Sequence, residues 1–405
     1  MTLPMRALKV FLQDCSVSAV VTGLIAVMVS YAGPLVIVFQ AANSGQLTPE
    51  QLSSWLWAIS IGSGVSGLWL SLRYRTPVIT AWSTPGAALL VTSLAQYRYS
   101  DAIGAYMFSA LLITLLGVTG LFSRLMARLP VAVVAAMLAG VLFRFGVGVF
   151  SSLAQGPALV LPILLVYLVA RRTGARYAIM AALITGVLCA FFLNLMDFQG
   201  VSATLAEPQW TTPSFSLSAM IGLGIPLCFV TMASQNAPGI AVLRTAGYDV
   251  PVNPLVTVTG LASVLLAPFG AHGINLAAIT AAICTGAESH PLLARRYVAG
   301  VSCALLYLLV GSFGATMASV FASLPGVLMA SIAGLALFSA LANGLGVALA
   351  NESQREPALI TFLVTASGIS FFGIGAACWG LVFGVLADRV LFGKMTVRRA
   401  DTQPD

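Results

Sequence analysis

Apolar stretches of about 20 residues recur from Ser16 to Phe392, each long enough to cross the hydrocarbon core of a bilayer. Lipid offers no partner for backbone N–H and C=O groups, so such stretches must close their hydrogen bonds internally, as helices do. With 59% hydrophobic and 8% charged residues, against about 25% charged in an average soluble domain, the chain has almost no soluble part. An all-α polytopic membrane protein follows.

Fourteen spans are predicted, near 16–42, 51–72, 77–95, 102–123, 130–153, 156–171, 176–196, 216–236, 253–269, 271–286, 297–320, 325–350, 356–372 and 374–392. Charge placement tests that count. With the N-terminus inside, Arg98 falls outside and Arg144 falls within a span. The other 17 of the 19 basic residues fall on the cytoplasmic face: Arg6, Lys9, Arg73, Arg75, Arg124, Arg128, Arg171, Arg172, Arg176, Arg244, Arg295, Arg296, Arg355, Arg389, Lys394, Arg398 and Arg399. This is the positive-inside pattern, and slipping one span would scatter it. Both termini are then cytoplasmic. The net charge of +7 belongs to these loops, and no basic domain suggests nucleic acid. The first stretch follows Arg6 and Lys9 but is too long for a signal h-region, so it is expected to stay as the first span.

The chain repeats itself. Ala110–Pro130 reads ALLITLLGVTGLFSRLMARLP and Ala304–Pro325 reads ALLYLLVGSFGATMASVFASLP. The leading Ala-Leu-Leu, the glycine pairs (Gly117 and Gly120; Gly311 and Gly314) and the closing Leu-Pro correspond, and Phe143 and Phe338 correspond beyond them. The offset of 194–195 residues contains seven predicted spans. An odd number turns the second copy upside down, giving two inverted seven-span halves, an arrangement typical of alternating-access transporters.

Pro77–Leu94, PVITAWSTPGAALLVTSL, changes character halfway. Val78, Ile79, Thr80 and Trp82 are strand formers. Thr84 then fits an N-cap with Pro85 at the first helical position, ahead of Gly86 and an Ala-Leu run. Its repeat-related mate is 269–287, FGAHGINLAAITAAICTGA, where Gly273-Ile274-Asn275 reads as extended and Asn275 as the cap of a helix from Leu276. Spans 3 and 10 are thus predicted to be half strand and half helix, with some six strand residues reaching the midplane. Their helix N-termini then meet near mid-membrane from opposite sides. Each presents unpaired N–H groups and about half a positive charge, which makes an anion site without a basic side chain. The competing reading is a pair of kinked helices packed by Gly and Pro.

Other polar residues at membrane depth extend the candidate site. Met232–Gly239 carries Ser234-Gln235-Asn236 and a Pro-Gly break, costly in lipid unless it faces a cavity. The first span breaks at Gly33-Pro34, next to Tyr31, which offers a ring and a hydroxyl or simply packs. The candidate substrate-binding set is Tyr31, Ser83, Thr84, Pro85, Gly86, Ser234, Gln235, Asn236, Gly273, Ile274 and Asn275. His272 and Arg144 are candidates for a proton or charge role, although a packing histidine and a snorkelling arginine are the plainer readings. No Asp or Glu falls in mid-membrane, so the ligand is expected to be an anion with an apolar body. Cys15, Cys189, Cys228, Cys284, Cys303 and Cys378 form no metal or disulfide spacing. No cofactor motif, nucleophile–base arrangement or nucleotide loop suggests an enzyme.

The runs Thr80–Ala88, Val230–Gly239, Ala278–Cys284 and Leu363–Gly368 resemble the benzoate/proton symporter family of BenE type, over nearly the whole chain. More distantly the chain resembles nucleobase transporters of the uracil-permease fold. That resemblance implies fourteen spans in inverted halves, with a core domain (1–129 and 201–323) and a gate domain (130–200 and 324–405). It implies uptake of benzoate or a similar aromatic carboxylate with a proton and no cofactor, with a homodimer in the bilayer as the candidate assembly. Where nucleobase transporters carry glutamates, this chain has Ser234 or Gln235, and Ile274. That departure speaks against a nucleobase and leaves an inorganic-anion carrier or channel as the other alternative.

Overall fold

The computed structural model describes residues 11, 13–122, 131–173, 178–196, 203–287, 289–369, 371 and 376–392. Arg6, Lys9, Arg124, Arg128, Arg176, Asp197, Glu288, Lys394, Arg398, Arg399 and the Leu129-Pro130 closing the first repeat lie outside them.

The order is α1 (Val17–Ala32), α2 (Pro34–Ser44), α3 (Pro49–Tyr74), β1 (Thr80–Trp82), α4 (Thr84–Ser93), α5 (Tyr99–Thr119), α6 (Val131–Gln155), α7 (Pro157–Arg172), α8 (Ala178–Phe192), α9 (Leu217–Arg244), α10 (Val252–Leu266), β2 (Ile274–Leu276), α11 (Ile279–Thr285), α12 (Tyr297–Ser312), α13 (Gly314–Ala322), α14 (Gly326–Leu349), α15 (Arg355–Ser367) and α16 (Ala376–Phe392). Among the described residues, eight helical runs are long and apolar enough to cross a membrane: α1 with α2, α3, α5, α6, α9, α10 with the turn after it, α12 with the turn before it, and α14. The six remaining predicted spans hold the shorter helices α4, α7, α8, α11, α15 and α16. Outward faces are apolar, as with Leu111, Leu115 and Val118 on α5 or Leu161, Leu165 and Leu168 on α7. Their spacing of three to four residues makes one stripe per helix, the surface a bilayer covers.

Small residues set the packing, as expected where lipid removes the hydrophobic drive between helices. Gly117 of α5 meets α10 so closely that a Cβ there would come within 2.6 Å of the Thr257 backbone nitrogen. Gly311 of α12, which corresponds to it in the sequence comparison of the two runs, meets α3, where a Cβ would come within 2.6 Å of Ser60 Cβ. Gly117→Ala will therefore lower stability by about 1–3 kcal/mol, the usual cost of overpacking, read as a lower unfolding temperature in detergent. An unchanged temperature would show that α5 and α10 have slack here.

Two predictions about irregular backbone need correcting. The break at Gly33-Pro34 separates α1 from α2, but Pro238-Gly239 does not break α9, which runs on to Arg244. Instead the helix widens into π turns at Met220–Gly224 and Met232–Asn236, each followed at the second position by a proline, Pro226 and Pro238. A proline ring collides with the carbonyl four residues back in an α-helix; a π turn moves that carbonyl aside. The strands are also shorter than predicted, at three residues each.

Candidate functional site

β1 and β2 pair antiparallel, Thr80 opposite Leu276, Ala81 opposite Asn275 and Trp82 opposite Ile274. Serines on the flanking helices hold the ladder from both sides, at the Thr80 side chain and at the Ile274 backbone. The Thr80 hydroxyl donates to the Ser63 carbonyl of α3 (2.6 Å) and accepts from Ser66 (3.0 Å). On the other side Ser263 of α10 accepts from the Ile274 N–H (2.7 Å) and donates to its carbonyl (3.1 Å). The Leu276 N–H donates to Asn236 Oδ1 (3.0 Å), which fastens β2 to the second π turn of α9. Because the strands are antiparallel, α4 and α11 leave opposite ends of the ladder in opposite directions. A three-residue ladder separates their N-termini by about 10 Å.

The caps differ from the prediction. Ser83, not Thr84, is the N-cap of α4 and accepts from the Gly86 N–H (3.1 Å). Pro85 brings no N–H and the Ala87 N–H goes to the Ser83 carbonyl (2.8 Å), so Thr84 keeps the one unclaimed backbone donor of that turn. Asn275 caps nothing. It lies within β2, and α11 starts later, at Ile279, after Ala278 with no side-chain cap. The Asn275 amide, oriented from its hydrogen-bond network, accepts from the Ser83 N–H (2.9 Å) and donates to the Leu276 carbonyl (3.1 Å).

Ser83 is the hub. Beyond its cap it accepts from the Thr231 hydroxyl of α9 (3.1 Å), and its N–H also reaches the Gly273 carbonyl (3.1 Å). Its own carbonyl meets His272 Nε2 (2.9 Å), while Trp55 Nε1 of α3 donates to His272 Nδ1 (3.0 Å). An indole N–H only donates, so Nδ1 is unprotonated and Nε2 carries the proton. His272 is thereby a neutral bridge between α3 and the start of α4, closed in by the Trp55 and Tyr106 rings.

These bonds divide the candidate residues. Ser83, Asn236, Asn275 and His272 are buried, Ser83 bonded to Asn275 and His272 and Asn236 to the Leu276 N–H. Tyr31 stacks edge-on against Trp82 and bonds Ser60 (2.6 Å). Ser234 turns its hydroxyl back to the Val230 carbonyl. Pro85, Gly86, Gly273 and Ile274 are buried backbone or packing positions; Gly86 lets α4 approach Leu227 of α9. Thr84 and Gln235 are different: both are half-buried, and neither side chain has a hydrogen-bond partner among the described residues. α6 packs against both α4 and the π turn that carries Gln235. Arg144 is not brought to this place; it bonds the end of α15.

Sequence reasoning missed Thr231, Trp55 and Thr280. Thr231 stands four residues before Gln235, one helical turn away, which is the signal that could have found it. Thr280, in the first turn of α11, has a buried hydroxyl without a partner among the described residues. Among the described residues no group of three or more His, Cys, Asp or Glu could hold a metal.

The chain is 42% identical over 384 residues to the benzoate membrane transport protein of Acinetobacter baylyi, covering 95% of this chain and 98% of that one. It is 44% identical over 362 residues to the inner membrane protein YdcO of Escherichia coli, covering 89% and 93%. In fold it resembles the transmembrane domain of the cyanobacterial bicarbonate transporter BicA (TM-score 0.53, 15% identity, 92% of this chain and 96% of that one). It also resembles SLC26A9 (TM-score 0.56, 13% identity, 91% and 65%). The model of the benzoate membrane transport protein family matches residues 13–390, and the chain belongs to that family of membrane transporters.

Proposed function

We propose that this protein is a secondary active transporter that imports benzoate or a similar aromatic carboxylate with a proton, by alternating access across a bacterial inner membrane. The observation that carries the reading is the ladder that sends α4 and α11 in opposite directions beside two unpartnered polar side chains, Thr84 and Gln235. In this reading the carboxylate accepts hydrogen bonds from the Thr84 N–H and hydroxyl and from the Gln235 amide. The polarity of the α4 N-terminus favours its charge, and α6 closes the site from the other side.

Fourteen crossings in inverted halves, with both termini inside, complete the proposal, and the packing supports it. Advancing each span by seven carries the α5–α10 contact onto α12–α3, α2–α4 onto α9–α11, and α7–α8 onto α15–α16; all six contacts are present. Residues 1–129 and 201–323 act as the moving core, and 130–200 and 324–405 as the gate. The locked neutral tautomer of His272 argues for a proton that travels elsewhere, with the substrate or on a peripheral acid.

The test is thermal stabilisation of the purified protein by benzoate, uracil and bicarbonate at two pH values. Stabilisation by benzoate alone, larger at the lower pH, is expected. Stabilisation by bicarbonate, the ligand named for one structural neighbour, or by uracil would sink the aromatic-acid assignment.

A further inference from the structure

Arg144 lies outside the bonds that build the ladder, and it is exposed. Its Nε donates to the Ala366 carbonyl (3.3 Å) and its Nη2 to the Ser367 carbonyl (3.0 Å), in the last turn of α15, which Gly368 closes at φ +69°. A helix C-terminus carries about half a negative charge, so half of the guanidinium charge remains uncompensated. Among the described residues no carboxylate pairs with Arg144, and its Nη1 group makes no hydrogen bond.

A cavity of about 340 Å³ opens beside it, lined by Gln40 of α2, Val91 and Thr92 of α4, Phe145 of α6 and Ala330 of α14 as well as Arg144 itself. That volume suits a small molecule. Gln40 is half-buried and its amide has no partner among the described residues. Across the guanidinium, a hollow of about 30 Å³ is lined by Thr365, which is 6% exposed and whose hydroxyl also lacks a partner. Val91, Phe145 and Ala330 form an apolar wall facing a cation with free N–H groups. An aryl ring with one negative end fits this division; a small hydrated anion leaves the wall unused.

We propose that this cleft is a second substrate site, which captures the aromatic carboxylate before it reaches Thr84. Its carboxylate takes the free Nη1 N–H groups and the Gln40 amide, and its ring lies on Phe145 and Val91. Thr92 is eight residues along α4 from Thr84, a separation of about 12 Å, so the two sites are distinct steps along one helix. The ligand class rests on the transport reading above. With the N-terminus inside, the cleft opens to the outer face.

The experiment compares benzoate uptake in right-side-out and inside-out membrane vesicles. Arg144→Gln is expected to raise the outer-face KM about tenfold, the loss of a charge-assisted hydrogen bond, with the maximal uptake rate and the inner-face KM unchanged and, by detailed balance, a correspondingly lower maximal rate of export. Arg144→Lys keeps the charge without the planar fork and should fall between. Gln40→Leu breaks no hydrogen bond among the described residues and should also raise the outer-face KM about tenfold. Unchanged KM values on both faces, or a loss confined to maximal rate and protein yield, would reduce Arg144 to a cap of α15 and overturn the capture site. Wild-type vesicles that take up no benzoate would defeat the transport reading before any variant is compared, so the two failures are distinct.

Discussion

A His272→Phe variant will unfold at a markedly lower temperature than the wild type in detergent. Phenylalanine retains the ring that packs against Trp55 and Tyr106 and removes both ring nitrogens. Trp55 Nε1 loses its acceptor and the Ser83 carbonyl loses its donor, both in buried surroundings. Each buried group left unpaired costs about 1–3 kcal/mol, so the pair costs about 2–6 kcal/mol. His272→Gln separates folding from proton transfer. Its amide can accept at one atom and donate at the other, so stability should largely return. Uptake by that variant should keep the pH dependence of the wild type. If it folds well but takes up benzoate independently of pH, His272 carries the proton after all.

The second large effect is on binding, without a cost in stability. Thr84→Val and Gln235→Leu remove side-chain groups that no described residue uses, so the unfolding temperature should stay where it is. Benzoate affinity should fall at least tenfold in each, because a hydrogen bond to a charged group contributes about 1.5–3 kcal/mol. Titration of purified protein with benzoate reads this directly. Wild-type affinity in both variants would place the carboxylate elsewhere, however well the ladder is formed.

How much of this was legible in the chain can be judged at particular residues. The change from strand formers to an Ala-Leu run after Pro85 announced β1 and α4, since proline is at home in a helix's first turn. The cap was misplaced by one residue because Ser83 and Thr84 are both good N-caps; backbone bonds to distant residues, which no local pattern encodes, decide between them. Asn275 misled for a related reason. Asparagine favours caps, but here pairing with Ala81, nearly two hundred residues away, holds it in a strand. Polar residues at depth in α9 were visible, whereas the division between engaged Asn236 and free Gln235 required knowing where the Leu276 N–H points. Pro238 was visible too, but a proline alone does not say whether a helix will break or widen. Arg144 was recognised as unusual; the end of α15 that it caps lies more than 220 residues further on.

The ladder also bears on how the protein is made. A strand inside a membrane cannot leave its N–H and C=O groups bare, yet Thr80–Trp82 has to wait for Ile274–Leu276 before its edge is covered. Ribosomes add about 5–20 residues per second, so roughly ten seconds or more separate the two. During that interval α3 holds β1 through the Thr80 hydroxyl, which bonds the Ser63 carbonyl and Ser66, while the backbone edge of the strand stays unfinished. Biogenesis of this transporter therefore carries a vulnerable window that closes only when the second half arrives. Ser66→Ala or Thr80→Val, which remove that anchor, should show themselves as poor yield of newly made protein before they show as poor transport.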